Sequence, residues 1–243
     1  MRIMISLFIM IIPISRLKVF LYNKLLKYDI HKTCKIGLSY IGVSFLRMEQ
    51  YSSIGNFNIL KGKCYIEMSR NSRISKLNKI NSTNMKIGHA TVICNKNIFF
   101  HDVNLAADIE AIFQIGANSV ITNNHYFDVC DSITIGNSCT IAGMNSEFWT
   151  HSFNLSKDRI QGEIQIGDSV YIGSSIKMSY GVRVANNTII GMGSIITSSL
   201  LEENYVWAGN PVKKIRGIAD YKKYSLIGNL PNGKNIYRKE VKS

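Results

Sequence analysis

Apolar residues recur every six positions along the C-terminal half of this chain, a period that belongs to neither an amphipathic helix nor an ordinary half-buried strand. From Ile166 the sequence reads IGDSVY, IGSSIK, MSYGVR, VANNTI, IGMGSI. An apolar residue opens each hexad, Gly or another small residue usually follows, and a small or aliphatic residue stands four places on. A short fixed period of this kind marks a solenoid in which each coil stacks on its neighbours. With three hexads to a coil, each hexad supplies one short flat strand. Its opening apolar side chain points inward and forms a ladder with its counterparts above and below. The small second residue permits the tight corner between faces, where a bulky Cβ would clash.

Upstream the period is looser. Imperfect hexads open at Ile36-Gly37, Ile41-Gly42, Ile54-Gly55, Ile87-Gly88, Ile115-Gly116 and Ile135-Gly136. One continuous solenoid over residues 34–217 is therefore expected, irregular in its early coils and clean in its last. Residues 145–162 (NSEFWTHSFNLSKDRIQG) break the period with aromatic and charged side chains. Such an interruption must leave the coil as a loop, and loops of this kind commonly carry function.

The ends differ from the middle. Ile3 to Ile14 is almost wholly apolar and is followed by Arg16, Lys18, Lys24 and Lys27 among Leu, Val, Phe and Tyr. The run is shorter than the roughly 20 residues of a membrane span and is broken by Pro13. No small-residue cleavage site marks it as a signal peptide. The spacing predicts a helical segment over residues 1–33, with Leu17, Phe20, Leu21, Leu25 and Leu26 on one face. That segment either caps the solenoid or lies in a membrane interface, making peripheral contact through residues 1–30. Residues 218–243, basic and Tyr-bearing, are expected to form a short helix and a tail.

Charge narrows the partners. The chain has 243 residues and a formal charge of +13, from 29 Lys and Arg against 16 Asp and Glu. The cations are dispersed over the termini and strand edges, without the basic stripe interleaved with aromatics that a nucleic-acid groove needs, so no nucleic acid is expected. A phosphate-bearing cofactor, an anionic glycan or an anionic membrane surface fits better. The five Cys (34, 64, 94, 130 and 139) contain no CxxC pair. They read as reduced, buried, small hydrophobes of a cytoplasmic protein.

The hexads carry the pattern of the left-handed parallel β-helix, a mainly β fold, and the chain resembles the hexapeptide-repeat acyltransferases. The resemblance covers roughly residues 34–217 and is nearest to the galactoside and maltose acetyltransferase branch. DVCDSITIGNSCTIAG (Asp128–Gly143) looks like that branch's run before its catalytic His, and IGDSVYIG (Ile166–Gly173) looks like the IGxxxWIG pair that follows it. Tyr171 stands where the branch usually has Trp, so the aromatic platform persists with altered shape. The resemblance implies acetyl-CoA as co-substrate, a homotrimer with the cofactor slot between subunits, and no metal. Trimeric β-helix carbonic anhydrases hold zinc partly through two His about five residues apart, and no such pair occurs among His31, His89, His101, His125 and His151.

On that resemblance His151, within the interruption and flanked by Trp149 and Phe153, is the general base that takes a proton from the acceptor hydroxyl. The structural alternative is a loop His filling an aromatic pocket. His125, in TNNHYFD, is the rival base, with Asp128 orienting it. Asn123, Asn124 and Asp128 would otherwise hold acceptor hydroxyls beside Trp149 and Tyr171. WAGNPVKKIRG (Trp207–Gly217) resembles the segment that closes the solenoid in these enzymes. It would present Lys213, Lys214 and Arg216 to the phosphates of coenzyme A. By position, Gly173, Ser174, Gly191, Gly193 and Thr197 would border the pantetheine arm.

The whole layout looks most like O-acetyltransferases of bacterial surface polysaccharides, which implies a sugar or oligosaccharide acceptor such as a capsule or lipopolysaccharide precursor. The expected location is cytoplasmic, at the inner face of the membrane if the N-terminal segment binds lipid. Two other readings stand beside this one. The acceptor would be an amino sugar or serine in the first, and the chain a non-catalytic scaffold or glycan-binding module in the second.

Overall fold

In the computed structural model, which describes residues 2–103, 110–218, 224–229 and 234–239, short parallel strands wind into a left-handed β-helix of about nine turns. One face is a ladder that runs from Lys35–Ile36 through Ser53–Ile54, Arg73–Ile74, Val92–Ile93, Val120–Ile121 and Thr140–Ile141 to Tyr171–Ile172 and Ile189–Ile190. The other two faces merge into one sheet near the N-terminal end, because Tyr40–Met48 and Ile59–Met68 continue across a corner. These long strands are the irregular early coils of the sequence.

Parallel register stacks like on like. Ile54 lies on Ile74, Ile74 on Ile93, Ile121 on Ile141, and Ile172 on Ile190, all buried. On the second face the ladder changes from Leu60 and Ile80 to Phe99, Phe127 and Phe148. The rings of Phe99 and Phe127 stack with centroids 4.7 Å apart, as do those of Phe127 and Phe148. Each coil thus buries the same kind of side chain at the same depth, which is why a six-residue period suffices to specify the core.

The small second residue of the hexad proves to be required by the next coil. A Cβ on Gly55 would lie 2.0 Å from the Ser75 carbonyl oxygen, and one on Gly88 would lie 2.4 Å from the Gly116 carbonyl carbon. The left-handed conformations at the corners fall instead on residues such as Asn71, Asn118, Asn124 and Ser169. Asn and Asp tolerate that region better than other side chains bearing a Cβ, Ser less so.

The N-terminal segment forms two helices rather than one, α1 (Arg2–Met10) and α2 (Ser15–Leu26), separated at Pro13. Its buried face also differs from the expected one. Val19, Tyr22 and Leu26 join the solenoid core, whereas Leu17, Phe20 and Leu25 are exposed. Lys18 is buried beside them, its Nζ donating to the carbonyl oxygens of Met10 and Gly37. Those two bonds tie both helices to the first coil. Among the described residues no helix is long and apolar enough to cross a membrane.

At the other end, Tyr205–Ala208 extends the first face and pairs antiparallel with Lys213–Gly217. Among the described residues beyond it there are strands where a short helix was expected. Tyr224–Asn229 and Asn235–Lys239 are antiparallel strands, and the remaining positions of the tail lie outside the described residues.

Candidate functional site

The interruption of the repeat is narrower than the sequence implies. Glu147–Trp149 stays in the second-face ladder, with Phe148 in the core. The chain leaves the coil only afterwards, as an antiparallel hairpin of His151–Phe153 with Arg159–Gln161. Its base is tied at Thr150, whose carbonyl oxygen accepts from the Gly162 amide at 3.0 Å.

His151 stands at that departure point. Its Nδ1 meets Asp128 Oδ2 at 2.7 Å. The His side chain is 16% exposed and the Asp side chain 1%. An ionised carboxylate can only accept, so Nδ1 donates the proton, and in the neutral imidazole Nε2 keeps its lone pair. Asp128 is held in turn. Its Oδ2 also accepts from the Thr150 amide at 3.1 Å and the Thr150 hydroxyl at 3.2 Å. Phe153 packs edge-on against the imidazole, with centroids 5.7 Å apart. The arrangement is a buried carboxylate orienting a half-buried imidazole whose free nitrogen is a competent proton acceptor.

Cys130 completes this corner. Asp128, Cys130 and His151 bring donor atoms within 4.8 Å of one another, the kind of grouping that holds a metal. Here the chemistry of the donors is otherwise committed. Burial pushes the Cys130 thiol up to about 11, so it is a neutral S–H, and Nδ1 is bound to the carboxylate. A metal would need the thiolate and the freed nitrogen together.

His125 is placed differently from the expectation. It is 1% exposed and forms one rung of a polar ladder at the corner between the first and second faces. Asn58 Oδ1 accepts from the Asn78 amide, Asn78 Oδ1 from the Asn97 amide, and Asn97 Oδ1 from the His125 amide, each at 2.9 Å. His125 Nδ1 then accepts from the Ser146 amide at 3.1 Å, so its Nε2–H donates to Thr122 Oγ1 at 3.0 Å. Burial holds this imidazole down to about 4. Both nitrogens of His125 are thus occupied, and among the described residues no carboxylate bonds it. Asp128 serves His151 instead.

The remaining expected residues separate into three places. Trp149 lies on the second face near the dyad, its ring 5.0 Å from that of Tyr126 and its Nε1–H donating to Glu147. Asn123 and Asn124 belong to the opposite edge of that face, where they bond Asn95 and Asn145, and Tyr171 is exposed on the first face. Within one chain these three do not meet His151, and Asp128 is too buried to grip an acceptor.

Gly173 and Gly191 stack at one corner of the last coils, where a Cβ on Gly173 would lie 2.6 Å from the Met192 nitrogen. Ser174 Oγ is engaged with the Met144 backbone, accepting from its amide at 2.9 Å. Gly193 and Thr197 are exposed beyond them. Lys213 is exposed, but Lys214 already pairs with Glu202 at 2.7 Å and lies 4.2 Å over the Tyr205 ring. Residues at the site that the sequence did not single out are Cys130, Thr150 and Arg159. Cys130 carries no signal of its own, being an ordinary small residue within a coil, whereas Thr150 and Arg159 sit in the interruption, which was itself the signal.

No protein-family model matches the chain. It is 30% identical to galactoside O-acetyltransferase of Escherichia coli over 112 residues, 46% of this chain and 54% of that protein. It is 39% identical over 67 residues to a putative acetyltransferase of Saccharomyces cerevisiae, 26% of this chain and 34% of that one. The chain thus spans about half the length or less of these relatives. Among solved structures, a hexapeptide-repeat-containing acetyltransferase of Vibrio cholerae complexed with acetyl coenzyme A is similar at 22% identity and a TM-score of 0.47. That match covers 55% of this chain and 70% of the other. The six-residue repeat and stacked parallel coils are those of a left-handed β-helix, and the sequence is similar to these acetyltransferases over part of their length.

Proposed function

We propose that the protein transfers an acetyl group from acetyl-CoA to a hydroxyl of a sugar, with His151 as general base. The observation that carries this reading is the Asp128–His151 bond, which engages Nδ1 and makes Nε2 the nitrogen available to take a proton at the edge of a half-buried corner. In the reaction, Nε2 removes the hydroxyl proton as the oxygen attacks the thioester carbonyl. The C–S bond then breaks and the proton passes to the departing thiolate. Asp128 orients the ring and stabilises the imidazolium without itself taking the proton. Cys130, neutral and buried, plays no part as a nucleophile.

Similarity to galactoside O-acetyltransferase supports a sugar hydroxyl as the acceptor, and we read that sugar as part of a bacterial surface polysaccharide or its precursor. Coenzyme A would run past the Gly173, Gly191 and Gly193 corner, with Thr197 beside the pantetheine arm and Lys213 offering a cation to its phosphates. A homotrimer would bring the 151–161 hairpin of one subunit to this corner of the next. The outer side of α1 exposes Ile3, Met4, Leu7, Phe8 and Ile11, and no acidic residue precedes Asp29. That combination suits peripheral contact with an anionic membrane.

The test is thiol release from acetyl-CoA in the presence of sugar and oligosaccharide acceptors. His151→Ala should bind coenzyme A and lose turnover by roughly 10²–10⁴-fold. Undiminished turnover in that variant would remove His151 from the mechanism.

A further inference from the structure

Among the described residues, the hairpin that carries His151 also carries a cation without a hydrogen-bond acceptor. Nε, Nη1 and Nη2 of Arg159 are all shielded from solvent, and none has a hydrogen-bond partner. In the antiparallel register Phe153 faces Arg159 and His151 faces Gln161. Alternate residues of a strand share a side, so Arg159 projects from the same side of the hairpin as the His151 imidazole. Gln161, two residues further along, lies opposite His151, so Arg159 stands two rungs along the hairpin from the dyad. Oδ2 of Asp128, a carboxylate at the dyad's corner, is committed to His151 and Thr150.

A guanidinium buried without an acceptor is strongly unfavourable, and it persists where an anion completes it. Its planar fork matches a carboxylate or a phosphate in two parallel bonds. The hairpin is a two-stranded sheet of its own, outside the solenoid ladders, so it can shift to admit a ligand without breaking a coil. Elsewhere the chain presents the same sign of charge. A cleft between α2 and the first coils is lined by Arg16, Lys32, Lys35, Arg73 and Lys76 and by no acidic side chain.

We infer that Arg159 is the specificity-determining residue for an anionic acceptor, binding a carboxylate or phosphate on the sugar whose hydroxyl faces His151. This rests on the acetyl-transfer reading for the identity of the ligand as acceptor, but the anion site itself is testable without turnover.

The experiment uses the full chain with matched acceptors: galacturonate, galactose 6-phosphate and galactose, and oligosaccharides built from them. Binding is followed by saturation-transfer NMR, and transfer by thiol release. Arg159→Gln and Arg159→Lys are compared with the parent after thermal melts confirm folding. The parent should favour an acidic acceptor over its neutral counterpart at least tenfold in kcat/KM. The acidic-to-neutral ratio should collapse at least tenfold in Arg159→Gln, mainly through KM, and recover in part in Arg159→Lys. Preference for galacturonate or for the 6-phosphate tells which anion the fork takes. If no acceptor is turned over but acidic sugars still bind in an Arg159-dependent way, the anion site stands and the acetyl-transfer reading falls. Equal loss for acidic and neutral acceptors would overturn the inference. So would a parent without preference, or an Arg159→Gln variant whose main effect is dissociation of an oligomer.

Discussion

His151 Nδ1 donates to Asp128 Oδ2 across 2.7 Å, although 23 positions separate the two residues in the chain. The bond exists because the two residues lie on adjacent, directly paired coils. Asp128 ends its second-face strand directly beneath Trp149, and the chain turns outward two residues later. The carboxylate is thus fixed inside the solenoid while the imidazole sits at its rim.

That relationship predicts a particular defect for Asp128→Asn. The amide either donates to Nδ1 or accepts from it in a different rotamer, and the imidazole loses its enforced tautomer. Turnover should fall by about 10²–10⁴-fold while coenzyme A binding is retained. Steady-state kinetics beside calorimetric binding of coenzyme A would separate the two. A variant with full turnover would show that the dyad bond is only structural.

His125→Asn should be well tolerated, since Asn already occupies this rung at positions 58, 78 and 97. Acetyl transfer should survive in this variant.

The same variant tests the pH dependence of stability. In the parent, burial lowers His125 from 6.5 to about 4, so between those values the unfolded chain binds the proton and the folded chain does not. Stability from this residue is therefore complete above about pH 6.5 and falls as the pH drops towards 4. The loss is on the order of 3 kcal/mol. Urea midpoints from pH 7.5 to 4.5 should fall less steeply for His125→Asn than for the parent. Parallel curves would rule out this account of the buried imidazole.

Gly55→Ala and Gly181→Ala separate two uses of glycine. The Gly55 Cβ would meet the Ser75 carbonyl oxygen at 2.0 Å, and coil stacking leaves that oxygen nowhere to go. The substitution should destabilise by about 3 kcal/mol or more. Gly181 has a φ of +72° and open space around its Cβ position, so only the left-handed backbone penalty of about 1 kcal/mol applies. Thermal melts that rank the two variants in the opposite order would refute the stacking argument.

Phe127→Ala should be among the most disruptive core changes, at about 3–5 kcal/mol. Phe127 is the middle ring of the Phe99–Phe127–Phe148 stack and also meets Phe113 edge-on at 5.1 Å. Its removal opens a void between coils that have little freedom to collapse. Denaturant unfolding of Phe127→Ala and Phe127→Leu would measure it, and a loss near 1 kcal/mol for the Ala variant would mean that the coils close up.

The coils were legible in the sequence because a solenoid repeats one local rule. An inward aliphatic such as Ile172 or Ile190 needs only its equivalent one coil away, so a six-residue period already states the contact. The interruption was legible for the same reason, as the place where the rule fails, and it drew attention to His151. What the sequence could not rank was His125 against His151, since both lie near polar residues in turns. Only the stacking of coils sets them apart, by placing His125 on a buried Asn ladder and Asp128 under His151. The N-terminal segment shows the same division. Its apolar content required a covered face, but docking on the first coil chose Val19, Tyr22 and the aliphatic stem of Lys18 over Leu17 and Phe20. Arg159 was equally silent, because the lack of an acceptor is a property of what surrounds a side chain. Period and composition determine which residues point inward. Which polar groups meet, and which are left without a partner, depends on contacts between coils and with the hairpin, and these exist only once the chain is wound.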